Sequence, residues 1–368
     1  MKIAELIGII EDWTPPGSAL EKDNPGLQVG DANTPLKNVL LSLDVTEAVL
    51  DEAIQKEANF ILSHHPLIFE PLRRVDEATS TGKLIAKALR HGLSIYSAHT
   101  NLDASREGVS MELARLLGIQ QPRFLIEPYG RWLKKLTVFV PPEHVDAVRG
   151  AMAEAGAGRI GEYSHCSFNI PGSGTFLGSD AAAPTVGQKG RLESVSEIRL
   201  EMIVPQWRLN EVIRAMTAAH PYEEVAYDVY PLDNKDMNYG FGAVGELDEP
   251  LILKALARRV CERLGVDAVG VAEGPEQPIR RLAVCGGSGG ELAEAAWKSG
   301  AQAYITGELK YHALLEYRDR VSLIVAGHYA TEQVMLPRWA QRLRERLRGE
   351  PIQVMETERH TNPLKYIS

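Results

Sequence analysis

The stretch that indicates the fold is Phe60-Ile61-Leu62-Ser63-His64-His65-Pro66. Its apolar first half predicts a short buried β-strand, and the proline ends that strand because it has no backbone N–H to donate. Helical periodicity at residues 45–56 and 82–91 lies on either side, and the next predicted strand is 93–98. Strands that alternate with helices are typical of an α/β fold with a largely parallel sheet. Ligands of such sheets bind beyond the carboxyl ends of the strands, which carry polar side chains here.

The chain divides into three blocks, which we place at residues 1–128, 129–236 and 237–368. The first and last blocks both read as α/β. The middle block reads strand, helix, strand, strand, helix, strand, which is the order of a ferredoxin-like βαββαβ unit of the α+β class. Because the outer blocks share one pattern of elements, we predict a duplicated α/β domain with intertwined halves and an inserted middle domain.

The ends of corresponding strands in the two outer blocks carry the same kinds of residue. In the first block His99 stands four positions before Asp103, and in the last block His328 stands four positions before Glu332. The pair His64-His65 follows a further strand end. Intertwined halves would bring these strand ends to one cleft, since the carboxyl ends of parallel strands meet at one edge of a sheet.

Imidazole and carboxylate groups together are suitable ligands for zinc, iron, manganese, nickel or cobalt. His64, His65, Asp103, His328 and Glu332 make five ligands, which is too many for one tetrahedral ion and typical of two ions that share carboxylates. Each residue also has an ordinary alternative. A His-His-Pro turn often lacks a metal role, Asp103 is a suitable N-cap for the following helix, and Glu332 would favour the N-terminus of its helix. Their joint occurrence at matching strand ends favours the metal site.

Composition argues against several classes of function. A net charge of −9 over 368 residues, without a basic stripe, makes nucleic acid an unlikely partner. No apolar run approaches the roughly 18 residues of a membrane span, and acidic residues interrupt the start of the chain where a signal peptide is apolar. Three cysteines without a close pair favour a reducing compartment. We therefore expect a soluble cytoplasmic protein with no membrane anchor.

Six motifs occur in the order of one known family and span the chain. They are Asp23–Gly30, Ser63–Phe69, Ala98–Asp103, Gly286–Gly289, Ile305–His312 and Ala326–Gln333. On these motifs the chain resembles the Nif-three-like dinuclear metal-centre hexameric proteins, labelled GTP cyclohydrolase 1 type 2 homologues, in the long form with an inserted ferredoxin-like domain. The resemblance implies an α/β/α toroidal homohexamer with metal sites facing the internal cavity and two divalent metal ions per subunit, and it leaves open whether the hexamer is a dimer of trimers. It also places the metal ligands on the five residues named above, none of which is substituted.

Further polar residues are candidates for roles beside the metal ligands. We place His99 as an occasional ligand or as a residue that orients Asp103 or substrate, and we predict His99 and Glu308 as the catalytic residues. Glu308, Lys310 and His312 follow a strand equivalent to the one before the histidine pair. They are therefore candidates for acid, base or anion anchor, and the alternative is a solvated helix start.

Three other segments have weaker functional signals. The loop Gly286–Gly290 opens a predicted helix and is a candidate phosphate cradle, although it is not a Walker motif. Asn24, Gly26 and Gln28, in the segment 24–28, read as a polar, flexible approach to the first strand that would face the cavity, and a packing loop is the simpler alternative. In the middle block, His220, Tyr222 and Glu223 are similar to residues of small trimeric regulatory domains, and we predict that they shape a trimer contact or a small-ligand site.

Two hypotheses of function follow. In the first, the protein is a metal-dependent hydrolase in which a bridging water, acidified by two cations toward a pKa of about 7, attacks a purine-nucleotide ring carbon or a phosphoester. GTP is the substrate that the family label suggests. In the second, the protein is a non-catalytic metal-sensing or trafficking scaffold whose insert binds a small regulator.

Overall fold

The computed structural model describes residues 1–127, 132–236 and 238–364. The chain forms two compact units, of which the first combines Met1–Glu127 with Tyr239–Ser368 and the second is Pro128–Asn238. The backbone therefore leaves the first unit once, builds the second and returns. None of the helices in the described ranges has both the length and the hydrophobicity that a bilayer crossing requires.

The architecture is mixed α/β with several sheets. The strands are β1 Gly26–Val29, β2 Val39–Ser42, β3 Phe60–Ser63, β4 Ser94–Ser97, β5 Ile119–Ile126, β6 Leu133–Val140, β7 Ser167–Leu177, β8 Leu192–Pro205, β9 Tyr227–Pro231, β10 Phe241–Leu251, β11 Gly270–Ala272, β12 Ile279–Cys285, β13 Ala303–Thr306, β14 Ser322–Val325 and β15 Val354–Glu356. The α-helices are α1 Ile3–Glu11, α2 Glu47–Gln55, α3 Ser80–Arg90, α4 Thr100–Asp103, α5 Val109–Leu116, α6 Val145–Glu154, α7 Leu209–Ala219, α8 Leu253–Leu264, α9 Ala293–Lys298, α10 Tyr311–Tyr317, α11 His328–Glu332 and α12 Leu336–Arg346.

The first sheet of the first unit has the strand order β1-β4-β3-β2-β15. Strands β2, β3 and β4 are parallel and buried on both faces, as the short apolar runs predicted. Their register aligns Ser42, Ser63 and Ser97 at the carboxyl ends. Strand β1 pairs antiparallel with β4 at the sheet edge. The expectation of a flexible loop at 24–28 is therefore wrong for residues 26–28, which are held by this pairing.

The second sheet of this unit has the order β11-β14-β13-β12-β10-β5. Its parallel strands β12, β13 and β14 carry Cys285, Thr306 and Val325 at aligned carboxyl ends. Strand β10 runs antiparallel to both β12 and β5. Each of the two sheets thus includes a strand from the distant chain segment, because β15 completes the first sheet and β5 completes the second. The two segments of this unit are consequently interlinked.

The second unit contains one antiparallel sheet with the order β7-β8-β6-β9. The chain order is β6-α6-β7-β8-α7-β9, as predicted for the middle block. One apolar cluster contains buried side chains of both helices and two strands, including Val148, Val212, Leu136 and Met202. Strand β7 begins later and extends further than the 165–170 that the sequence pattern predicts.

Two helices beside the first sheet begin at threonine caps. The Thr46 hydroxyl accepts a hydrogen bond from Val49 N at 3.3 Å, and the Thr79 hydroxyl accepts one from Gly82 N at 3.1 Å. Such a cap contributes about 1 kcal/mol because it satisfies a donor that the helix itself leaves unpaired. The apolar faces of both helices, with Val49 on α2 and Ile85 on α3, pack into one buried cluster with the sheet.

The buried carboxylate of Glu52 ties helix α2 to the segment after β15. It accepts hydrogen bonds from Lys56 Nζ at 2.7 Å, from Glu358 N at 2.9 Å and from the Thr357 hydroxyl. Burial alone would raise the pKa of this carboxyl, but these donors outweigh burial and hold the pKa below its ordinary value. A lowered pKa stabilises the folded state above the pKa of the unfolded carboxyl, and the contribution disappears as pH falls through the folded pKa.

Replacing Glu52 by glutamine should therefore lower the free energy of unfolding at pH 7 by about 2 kcal/mol, since a charged acceptor of a buried network is lost. Urea unfolding at pH 7 and at pH 4 measures the effect, and the deficit should shrink at the lower pH. The neighbouring Asp51→Asn is the matched control, because Asp51 pairs with Lys87 at an exposed site and should cost under about 0.5 kcal/mol. Equal losses in both variants would contradict the assignment.

Candidate metal centre

The predicted site residues lie just beyond the carboxyl ends of three parallel strands in two sheets. His64 and His65 follow β3, and their backbone N–H groups continue the ladder by donating to Ser42 O at 3.2 Å and Leu43 O at 2.9 Å. His99 is the residue before α4, which Asp103 closes. His328 opens α11 and Glu332 closes it. Strands β4 and β14 are thus each followed by one short helical turn. Each turn positions both the histidine and the acidic residue of the repeated spacing.

Three of the histidines approach Glu332, and Asp103 approaches His64. Glu332 Oε2 lies 3.0 Å from His65 Nε2 and 3.1 Å from His328 Nε2. These two nitrogen atoms are 3.4 Å apart. His64 Nε2 lies 3.7 Å from both Asp103 Oδ1 and Glu332 Oε1. Two sets of three residues have potential ligand atoms within 4.8 Å of one another, namely His64 with His65 and His99, and His65 with His328 and Glu332. His65 belongs to both sets.

The four histidines are each fixed through Nδ1 by a different neighbour. His64 Nδ1 donates to Ala98 O at 2.9 Å, His65 Nδ1 to Asp44 at 2.7 Å, His99 Nδ1 to Asp23 at 2.7 Å, and His328 Nδ1 lies 3.1 Å from Glu308 Oε1. A donor at Nδ1 leaves the lone pair of a neutral imidazole on Nε2. For His64, His65 and His328, Nε2 is the atom that faces the acidic side chains. This is the arrangement in which metal-binding histidines are usually oriented.

The chemistry of these donors fits a metal ion. His64 Nε2 and Glu332 Oε2 are buried and have no hydrogen-bond partner among the described residues. Two imidazole nitrogens approach that Glu332 oxygen to about 3 Å without the alignment of a hydrogen bond. Buried polar atoms are normally satisfied, and an unpaired one costs about 1–3 kcal/mol. A cation that accepts these lone pairs would satisfy them all.

The electrostatics of the cluster favour positive charge. Burial alone would lower the pKa of His65, but the carboxylates of Asp44 and Glu332 outweigh it and raise the pKa to about 10. The pKa values of His64 and His328 are also raised, with Glu332 among the causes for both. Conversely, the imidazoles hold the pKa of Glu332 well below its ordinary value despite its burial. The carboxylates that attract protons to these rings attract a divalent cation in the same way, and its binding would release those protons.

The ordinary alternative is wrong for Asp103, and the alternative for Glu332 lacks a capping hydrogen bond. Asp103 is the last residue of α4 and caps no following helix, since Gly108 is the residue before α5. Glu332 closes α11 and also precedes the 3-10 turn Gln333–Met335, but its side chain makes no capping hydrogen bond to that turn. Glu332 is only 4% exposed. A buried carboxylate surrounded by three imidazoles has no simple role in helix stability.

The residues predicted near Glu308 divide into two groups. Glu308 reaches the cluster, because its carboxylate contacts His328 and accepts a hydrogen bond from the Ser288 hydroxyl at 3.2 Å. Lys310 is the residue before α10, and the His312 ring packs beside Tyr311. Within the described residues, no hydrogen bond or ion pair joins Lys310 or His312 to the cluster. The solvated helix start is the better description for those two residues.

The glycine-rich loop supports the cluster and does not offer its amides to a ligand. The backbone N–H groups of Gly286, Gly287 and Gly289 donate to the hydroxyls of Ser110, Thr331 and Thr306 at 3.3, 3.0 and 3.1 Å. These three amides cannot also cradle a phosphate, so that expectation is wrong for them. The loop instead passes against Glu332: a Cβ on Gly287 would stand 2.0 Å from Glu332 Oε1.

Sequence reasoning missed two aspartates that hold the histidines. Asp44 bonds His65 through Oδ1 and accepts a hydrogen bond from the Thr361 hydroxyl at 2.6 Å through Oδ2. Asp23 bonds His99 and also accepts from Thr100 N at 2.9 Å, and these contacts lower its pKa to about 2 despite burial. Asp23 was part of a recognised motif, yet no role followed from it. For Asp44 the only signal is its position just after β2, which lies beside β3.

Replacing Asp44 by asparagine should weaken divalent-metal binding by about 10–100-fold, because the residue that orients a ligand histidine loses its charge. Thr361→Val should have a smaller effect in the same direction, since Asp44 keeps its bond to His65. Competition with a chelating dye under zinc or manganese titration measures both changes. Asp31→Asn, at an exposed aspartate, is the control. Unchanged affinity in Asp44→Asn would show that His65 needs no such support.

Comparison with known proteins agrees with the motifs. Residues 1–363 match the family model for Duf34/NIF3 (NGG1p interacting factor 3). A Bacillus subtilis relative named "GTP cyclohydrolase 1 type 2 homolog" is 39% identical over 366 residues, which are 99% of this chain and 98% of the relative.

Solved structures give the same result. The crystal structure of a Bacillus cereus protein related to NIF3 is similar with a TM-score of 0.85 and 40% identity, and the match covers 100% of this chain and 99% of that one. A Staphylococcus aureus protein, SA1388, is similar with a TM-score of 0.78 and 28% identity at the same coverage. The resemblance inferred from the motifs is thus confirmed, and the chain belongs to the Duf34/NIF3 family.

Proposed function

We propose that this protein binds two divalent metal ions through His64, His65, Asp103, His328 and Glu332, and uses them for hydrolysis. The observation that supports this most strongly is the set of imidazoles whose Nδ1 atoms are fixed by neighbours while Nε2 atoms converge on buried carboxylates. Two overlapping groups of ligand atoms suit two ions better than one. Their nitrogen and oxygen donors suit zinc, iron, manganese, nickel or cobalt.

When bound, such ions acidify water and polarise a phosphoryl group or an electrophilic ring carbon. The chain's own residues would do the rest. Glu332 is buried and ionised, so its role is to hold charge at the centre. Glu308 is 57% exposed at its side chain yet contacts His328, a position from which a carboxylate can exchange a proton with substrate. His99 lies beside His64 and His65, held by Asp23, and would position substrate or complete the ligand set.

The substrate class that we propose is a purine nucleotide, with GTP ring opening as the specific case, or a phosphoester. The name of the Bacillus subtilis relative supports the first, and the chemistry of paired metal ions supports the second. Zinc- or manganese-loaded protein is incubated with GTP and with a phosphodiester panel, and Asp103→Asn is the test variant. We expect multiple turnover that falls at least about 100-fold in Asp103→Asn, with the exposed Asp319→Asn unchanged. Absence of turnover with every metal and substrate would contradict the proposal that the protein is a hydrolase.

The alternative is a non-catalytic metal-sensing or trafficking scaffold that responds to a small ligand. It is favoured by one observation, a cavity in the second unit that has no part in the metal cluster. Metal affinity measured with and without a cavity ligand separates the two functions. A sensor would change its metal affinity without turnover, whereas a hydrolase would turn over substrate whether or not the cavity is filled.

We also propose the finer architecture that the family resemblance implies. The first unit would be a duplicated α/β/α domain, the second an inserted ferredoxin-like domain, with boundaries at residues 1–128, 129–236 and 237–368, and the subunits would form a cytoplasmic homohexamer. The strand order β7-β8-β6-β9 and the free cysteines are in keeping with this proposal. Light scattering in solution tests the hexamer, because a mass other than six subunits would contradict it. Limited proteolysis tests the boundaries.

A further inference from the structure

The second unit contains a cavity of about 260 Å³ that the metal cluster does not explain. It lies between the ends of β7 and β8, the loop 182–186 and the segment 222–226. Its walls are mainly apolar, from Phe176, Val186 and Val195, and its polar side chains include Glu197 and Tyr222. Among the residues that the structure describes, no lysine or arginine lines it. Pockets for small organic ligands have this composition, with apolar walls and a few placed polar groups.

The walls of this cavity are built before any ligand arrives. The Thr185 hydroxyl donates to Pro221 O at 2.8 Å, and Ala183 N donates to Glu223 Oε1 at 2.7 Å, so the two loops that face each other are joined twice. His220 Nδ1 accepts a hydrogen bond from Tyr222 N at 3.1 Å, and its ring packs edge-on against the tyrosine ring at 4.9 Å. A prebuilt wall reduces the conformational entropy that binding would cost.

In this wall the Tyr222 hydroxyl lies near the Glu197 carboxylate. Its oxygen is buried, and no hydrogen-bond partner for it meets normal geometry among the described residues. Burial and the nearby Glu197 carboxylate raise the pKa of Tyr222 to about 12, so the hydroxyl keeps its proton at neutral pH. A ligand that bonds to this hydroxyl would give it the well-aligned hydrogen bond that the protein does not supply.

The Glu197 carboxylate also lacks a cationic partner. No lysine or arginine pairs with it in the part of the chain that the structure describes, and it lies over Gly174, where a Cβ would stand 2.2 Å from Glu197 Oε2. Glycine at this position of β7 therefore makes room for the carboxylate at the cavity. Glu223 and Glu224 also line the cavity, so its potential is negative. An anionic ligand would be repelled.

We propose that this cavity binds a small primary amine with an apolar body, whose ammonium group pairs with Glu197 and donates to the Tyr222 hydroxyl. The apolar body would pack against Phe176, Val186 and Val195. A volume below the roughly 300 Å³ of typical drug-sized pockets limits the ligand to about ten non-hydrogen atoms. A bare metal ion is disfavoured because a divalent cation of the calcium or magnesium type requires six or more oxygen ligands, whereas most of this wall is apolar.

The probes for the test are 2-phenylethylamine and two ligands of similar size, 2-phenylethanol and phenylacetate. Binding to the full-length protein is measured by ligand-observed NMR and isothermal titration. We expect the amine to bind with a Kd below about 1 mM, which is the affinity of a good fragment. The alcohol should bind at least ten-fold more weakly and the acid should not bind. No binding by the amine, or equal binding by amine and acid, would overturn the proposal.

Three variants connect the binding to this cavity. Glu197→Gln should weaken amine binding at least ten-fold, and Tyr222→Phe should weaken it several-fold while preserving the ring contact with His220. Ala182→Leu should block the amine by filling the cavity without touching the charged group. Glu154→Gln, on the exposed face of α6, is the matched control. Unfolding temperatures of all variants exclude misfolding, and unchanged affinity in folded Glu197→Gln and Ala182→Leu would place the amine elsewhere.

Discussion

Replacing Glu332 by glutamine should weaken divalent-metal binding by about 100-fold or more, a loss of about 2.7 kcal/mol. The substitution preserves shape but removes the one carboxylate that approaches all three of His64, His65 and His328. It also presents an amide N–H₂ to imidazole nitrogens that need a cation and not a donor. Titration with zinc or manganese against a chelating dye, with metal content of the purified protein as a second measurement, gives the result.

Glu308→Gln is the control that distinguishes a metal ligand from a residue that only contacts a ligand histidine. Glu308 contacts the same histidine, His328, but through Nδ1 and from an exposed position, so its loss should reduce metal affinity by less than about ten-fold. Similar losses in Glu308→Gln and Glu332→Gln would mean that negative charge near the site matters and the position of Glu332 does not. That result would contradict the ligand assignment. A protein that retains full metal content as Glu332→Gln would contradict it as well.

A single methyl group on Gly287 should disrupt both the fold of the loop and the metal centre. Gly287 has φ of +61°, where an L side chain is strained, and its Cβ would stand 2.0 Å from Glu332 Oε1 and 3.4 Å from His328 Nε2. Strain of this kind costs about 1–3 kcal/mol by itself. We therefore expect Gly287→Ala to lower the free energy of unfolding by about 2 kcal/mol or more, and to weaken metal binding because Glu332 must move.

Gly290 is a matched control in the same loop. Its backbone is outside the left-handed region, and the nearest atoms to an added Cβ are at 3.6 Å, an ordinary contact distance. Gly290→Ala should therefore keep its unfolding midpoint and its metal affinity close to those of the unmodified protein. Urea unfolding and the dye titration are measured for both variants. Equal behaviour of the two alanine variants would show that the approach of Gly287 to Glu332 does not constrain the site.

Much of the local structure was predictable because local sequence determines it. The central strands β2, β3 and β4 are short apolar runs that polar turns end, and their side chains are buried on both faces. Strands β5 and β10 lacked such a signal. Proline and several polar residues interrupt β5, and the second half of β10 contains Glu246, Asp248 and Glu249, so neither shows clean alternation. The two strands pair with each other, and this pairing is not indicated by the sequence pattern of either strand.

The candidate site was predictable to a similar degree. The histidines and acids stood out because their spacing repeats at two strand ends. Asp44 did not, because its role depends on β2 lying next to β3, and sequence separation says nothing about which strands are neighbours. The contact of Thr361 with Asp44 was still harder to predict from the sequence. It reaches Asp44 across 317 positions only because β15 brings the end of the described chain back to the first sheet.

This return of β15 has a consequence for synthesis on the ribosome. Gln353 N bonds to Asn38 across 315 positions, and β15 completes the edge that β2 presents. At about 5–20 residues per second, translation leaves that edge unpaired for roughly 15–60 s after β2 emerges. An unpaired strand edge is a template for association between nascent chains. The newly synthesised first unit should thus depend on chaperone binding. The second unit is contiguous in the chain and can fold as soon as it emerges.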